Sequence, residues 1–199
     1  MVRAVDIEGL LQKYMEEDNL EKADALYLLY TIGSEGAAKT LRVRYGRSGS
    51  LSSVLDDLRE LGLEKPGSYE ITKDTGEDVS SVIKDSFKQI CLNTIIEFAK
   101  DRATSLSNNA REILYLISSI YPESIYNSEL QKFYKLLFQK TLPEHELKKA
   151  LDGLIYCYFV QYVRSNGLLE IPPYFDDLLF ILDIIPKVEV KVAWPTESI

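Results

Sequence analysis

From Asp74 to Asp101 the chain contains no proline. Within that stretch Val79, Val82, Ile83, Phe87, Ile90, Cys91, Thr94, Ile95 and Phe98 return about every 3.5 residues. A strand repeats every two residues, so this spacing admits one structure, a continuous helix of about seven turns. A helix of that length at the middle of the chain makes the fold mainly α and separates an N-terminal flank from a C-terminal one. Its apolar positions cover more of the helix than one small unit is expected to bury. The helix therefore reads as a connector, residues 74–103, that also joins two copies into a homodimer.

The two flanks share one plan. Residues 1–20 form a short amphipathic leader with Ile7, Leu10, Leu11, Tyr14 and Met15 at helical spacing. Residues 21–73 hold a helix ended by Gly33, a second helix over 34–45, a turn at Gly46 to Gly49, and a third helix. The third carries Leu51, Val54, Leu55, Leu58 and Leu61 and is closed by Gly62. Two short strands about Pro66-Gly67 then make a hairpin. After the loop-like 104–109, residues 104–183 repeat the order. Asn109 caps a helix to Ile120, Asn127 or Ser128 caps 129–139, and a third helix spans 144–155. A hairpin of 156–163 and 168–171 turns at Ser165-Asn166-Gly167. A short helix over 174–182 comes next, and the tail 184–199 alternates as a strand over 187–194.

The side-chain inventory removes most chemistry. His145 is the single histidine, on a charged helix start, and Cys91 and Cys157 sit far apart among apolar neighbours. That set builds no four-ligand zinc site, and the two thiols read as buried in a reducing cytoplasm. There is no GxxxxGK[ST] loop, no GxGxxG and no GxSxG elbow. The carboxylate pairs Asp56-Asp57, Glu77-Asp78 and Asp176-Asp177 lie on predicted helices and read as solvated faces. The expectation is therefore no catalytic residue, no metal, no cofactor, and a protein that is not an enzyme. With 46% apolar and 27% charged residues the chain folds, but no apolar run approaches a membrane span, and no signal-peptide core opens it. A cytoplasmic protein is expected.

Three helices and a hairpin, with a short turn between the second and third helices, resemble the winged helix-turn-helix superfamily, and the order occurs twice. In the first half Leu51-Ser52-Ser53-Val54-Leu55-Asp56-Asp57-Leu58-Arg59-Glu60-Leu61-Gly62-Leu63, then Tyr69-Glu70-Ile71-Thr72 and Gly76, is similar to the recognition helix and wing of MarR-type regulators. There is one extra residue between Thr72 and Gly76, and the turn at Pro66-Gly67 is short. The second half, about 109–183, matches in element order alone. The resemblance implies a fold that is mainly α with small β-hairpin wings, as two tandem winged-helix domains joined by a long helix.

Charge then singles out one stretch. The chain carries a net −8, and both halves hold more acids than bases, yet 36–55 contains Lys39, Arg42, Arg44 and Arg47 and no acid. On a winged helix this is where the phosphate backbone of double-stranded DNA is met. Lys39, Arg42, Arg44 and Arg47 would hold phosphates, with Ser48, Ser50, Ser52 and Ser53 at the start of the third helix close enough for phosphates or base edges. In the second half Glu144 and Glu146 would repel phosphate beside His145, Lys148 and Lys149, so that half reads as a protein-binding or dimerising copy. Two functions stay open. One is a DNA-binding transcriptional regulator. The other is a tandem winged-helix protein scaffold without DNA contact, similar in general plan to the acidic kleisin-partner subunits of bacterial condensins.

Overall fold

The computed structural model describes residues 4–62, 79–121, 123–163 and 167–178. It is mainly helical with one small antiparallel sheet. The elements are α1 (Ala4–Glu16), α2 (Leu20–Tyr45), α3 (Gly49–Glu60), α4 (Val79–Ala103), α5 (Asn108–Ile120), β1 (Ile125–Tyr126), α6 (Asn127–Phe138), α7 (Glu144–Tyr156), β2 (Gln161–Val163), β3 (Leu168–Glu170) and α8 (Phe175–Leu178). The expected first hairpin, the 165–166 part of the second turn and the 187–194 strand lie outside the described residues.

Local chemistry sets the helix ends. Asn19 caps α2 by accepting the Lys22 N–H at 3.1 Å. Gly33 breaks α2 with φ 77° and ψ 169°, and Gly46 ends it in the left-handed region, donating its N–H to the Arg42 carbonyl. The break divides α2 into the two helices that the glycine spacing predicts.

Helix α4 runs unbroken through Phe87, as its period requires, but it is not a free connector. Ile83, Phe87, Cys91, Ile95 and Ala99, four residues apart, are buried, and α1 and α2 pack against the helix. Ile7, Leu10, Leu11 and Tyr14 of α1 are buried as well, so the leader is part of the core. Phe87 stacks on Tyr27 of α2 with ring centroids 4.2 Å apart. Of the apolar stripe expected to bind a second copy, Ile83, Phe87, Cys91 and Ile95 are thus covered within one chain, because the expectation weighs α4 against one hairpin-bearing unit and leaves α1 out. Val82, Ile90 and Thr94 are half-buried, and Phe98 is exposed.

In the second half α5, β1, α6, α7, β2 and β3 succeed one another, and the strands lie in the order β1-β3-β2, all antiparallel. Ile125 pairs with Leu169, and Tyr162 pairs with Leu169 from the other side. Strand β1 has two residues and is an addition to the expected elements. The segment 156–160, expected as strand, instead finishes α7 and its turn. Ser107 rather than Asn109 caps α5, accepting the Ala110 N–H at 3.2 Å.

The two halves share one core that runs from Ile7 to Leu178. Helix α2 touches α3, α4, α7 and β2. Its Thr40 hydroxyl accepts the Tyr162 N–H of β2 at 3.2 Å.

Candidate nucleic-acid interface

The second segment of α2 presents two faces. Ala37, Thr40, Leu41 and Arg44 point inward and are buried, while Lys39 and Arg42 are exposed. At 100° per residue, positions 42 and 44 lie on opposite sides of the helix, so the two arginines part company.

Arg44 is a correction. It is 2% exposed and cannot reach a phosphate. Its guanidinium donates to both Asp24 carboxylate oxygens, at 2.8 and 2.9 Å, and its Nε donates to the Ile155 carbonyl of α7 at 3.1 Å. It also lies 4.3 Å from the centre of the Tyr158 ring. Tyr45 closes the group, donating to Asp24 at 3.2 Å and sharing a 2.7 Å hydroxyl contact with Tyr158. Burial raises the Asp24 carboxyl above its ordinary value, against the pull of Arg44 and the Tyr45 hydroxyl. The physical reason is plain: a buried aspartate needs a charged, hydrogen-bonded partner, and Arg44 supplies it.

Arg47 is exposed and engaged with the Glu21 carboxylate, Nη2 at 3.0 Å and Nε at 3.2 Å. Ser48 precedes α3 without a side-chain capping bond. Ser50 and Ser53 are half-buried, and Ser52 is exposed. One turn beyond Ser52 and Ser53 stand Asp56 and Asp57. Asp56 pairs with Arg59 at 2.6 Å, and Asp57 accepts from Tyr14 at 2.6 Å and from Lys22 at 3.1 Å. The outer face of α3 is therefore small and hydroxylated at its start and acidic beyond.

The cations that the fold brings together are different. Lys39 and Arg42 of α2 line one wall of an open groove of about 780 Å³, and Lys148 and Asp152 of α7 line the other. Asn127, first residue of α6, and Tyr162 of β2 also border it. The Lys39 ammonium lies 5.9 Å from the centre of the Tyr162 ring. Burial raises the Asp152 carboxyl above its ordinary value, with Lys148 opposing, and among the described lining residues it is one acid beside three cations. Glu146, expected to repel phosphate beside Lys148, accepts the Asn109 side-chain amide at 2.9 Å. Sequence reading misses Lys148 as a partner of Lys39 and Arg42, because more than a hundred residues separate them.

Among the described residues no group of three or more His, Cys, Asp or Glu side chains is placed to hold a metal ion. His145 is exposed at the start of α7, and Asp177 pairs with Lys88 at 2.7 Å. Glu77 and Asp78 lie outside the described residues. No helix among the described residues is long and apolar enough to cross a membrane. Comparison with protein-family models, with curated proteins and with solved structures finds no match for this chain.

Proposed function

We propose that the chain binds double-stranded DNA and that the groove between α2 and α7 holds the phosphate backbone. The observation that carries this reading is the convergence of Lys39 and Arg42 with Lys148 on one groove of an otherwise acidic molecule. Clustered cations in a concave site create a local attraction that net charge does not report. The order α5, β1, α6, α7, β2, β3 with strands β1-β3-β2 supports a winged-helix unit in the second half. The turn between α2 and α3 supports a helix-turn-helix in the first, and hence the tandem plan. On this reading Lys39, Arg42 and Lys148 neutralise phosphates. Ser52, exposed one turn before Asp56, does not line this groove. The role proposed is that of a cytoplasmic transcriptional regulator, in keeping with the two free, buried cysteines.

Fluorescence anisotropy on a mixed-sequence duplex at about 50 mM salt tests it, because non-specific binding by a DNA reader appears at roughly 10⁻⁴–10⁻⁶ M or tighter. Lys39→Ala, Arg42→Ala and Lys148→Ala are each expected to reduce the magnitude of the salt slope by about 0.9. Absence of binding in the parent, or a slope unmoved by all three changes, overturns the reading.

A further inference from the structure

Helix α6 is packed on one side only. Leu130, Tyr134 and Phe138, four residues apart, are buried. On the other side Phe133 and Leu136 are 47% and 76% exposed, and Leu136 is the most exposed large apolar side chain among the described residues. Tyr126, at the head of the helix, is also exposed. At 100° per residue, Glu129, Lys132, Phe133 and Leu136 share this outer side and Lys135 flanks it.

A lone exposed leucine is ordinary. Two large apolar side chains one turn apart, with lysines beside them, form the pattern by which one helix seats against another. The charges decide which helix. Lys132 and Lys135 are exposed and enter no ion pair with the described residues. Glu129, the one acid on the outer side, is occupied in accepting the Tyr126 N–H at 3.3 Å. A second copy would set the same lysines against each other, which like-charge repulsion disfavours. None of these side chains lines the groove between α2 and α7.

We propose that the outer face of α6 docks an acidic amphipathic helix of a partner protein. Phe133 and Leu136 enter between the partner's apolar side chains, and Lys132 and Lys135 meet the carboxylates that flank them.

The test uses the full chain and two labelled helical peptides of about 18 residues, or five turns. One carries leucines on one face and glutamates elsewhere, and the other has lysines in place of the glutamates. The acidic peptide is expected to bind at low salt, to weaken as salt rises, and to be preferred over the lysine peptide. Leu136→Asp is expected to weaken it by about tenfold or more, with an unchanged circular-dichroism melt because the side chain is exposed. Lys132→Glu combined with Lys135→Glu is expected to reverse the preference toward the lysine peptide. The proposal is overturned by an acidic peptide that fails to bind at about 1 mM, or by one that binds the Leu136→Asp chain equally well. It is also overturned if Leu136→Asp acts instead by abolishing self-association in sedimentation. The same holds if that change abolishes adsorption to phosphatidylserine vesicles while peptide binding is unaffected.

Discussion

Arg44 and Asp24 meet through both carboxylate oxygens, at 2.8 and 2.9 Å, with neither side chain exposed. Because Arg44 also donates to the Ile155 carbonyl, the pair ties both segments of α2 to the end of α7. Removing one member of a buried pair leaves an uncompensated charge, so Arg44→Met is expected to cost about 3–5 kcal/mol in urea unfolding. Asp24→Leu added to it should recover part of that loss. DNA binding measured on the folded fraction should keep its salt slope, in contrast to the result for Arg42→Ala.

Phe87 provides a second test of stability. Its ring is fully buried and stacked on Tyr27, and its truncation leaves a cavity between α4 and α2. Phe87→Ala is expected to lower the unfolding free energy by about 3–5 kcal/mol. Sedimentation of the folded protein should give the parent's mass, since this side chain faces its own chain.

Asp57 gives the protein a measurable acid sensitivity. Burial pushes its carboxyl up, but the hydroxyl of Tyr14 and the ammonium of Lys22 outweigh burial and hold it below its ordinary value of 3.8. A carboxyl depressed in the folded state adds stability that is complete above the unfolded value and is lost as pH falls through the folded one. The contribution should therefore be full at neutral pH and fade below 3.8. Asp57→Asn is expected to be about 1 kcal/mol less stable at pH 7. Its stability should fall less steeply with acid, as read from urea midpoints between pH 6 and pH 3.

The two thiols should be inert while the chain is folded. Cys91 and Cys157 are free, and burial pushes each up to about 12. Thiolate, the reactive form, is then scarce at neutral pH. Ellman's reagent is expected to find no rapidly reacting thiol at pH 8 and two after addition of guanidinium chloride.

The helices are legible where their own residues decide them. Gly33 and Gly46 mark the break and the end of α2, and the period over 79–98 marks α4. What a face meets is a different matter. The stripe on α4 announces an apolar partner, but only the folded chain shows that α1 and α2, with Tyr27 stacked on Phe87, pack against this helix. Arg44 carries a signal that a basic run conceals: it lies beyond Ala37, Thr40 and Leu41 at helical spacing, on the inward side, whereas Arg42 does not. The groove is least visible, because it joins Lys39 and Arg42 to Lys148 across the whole fold. The two-residue strand β1 leaves no periodicity to read, since its pairing with Leu169 is what makes it a strand.

The bond from Tyr162 to Thr40 has a consequence for how the sheet behaves among its neighbours. In the order β1-β3-β2 the strand β2 lies at an edge, where an outward N–H is an open invitation to a strand from another molecule. Thr40 answers that N–H from within the chain, and α2 packs along β2. With that donor answered inside the fold, Tyr162 has no free N–H to offer a strand of another copy, and the sheet is closed to growth at this position.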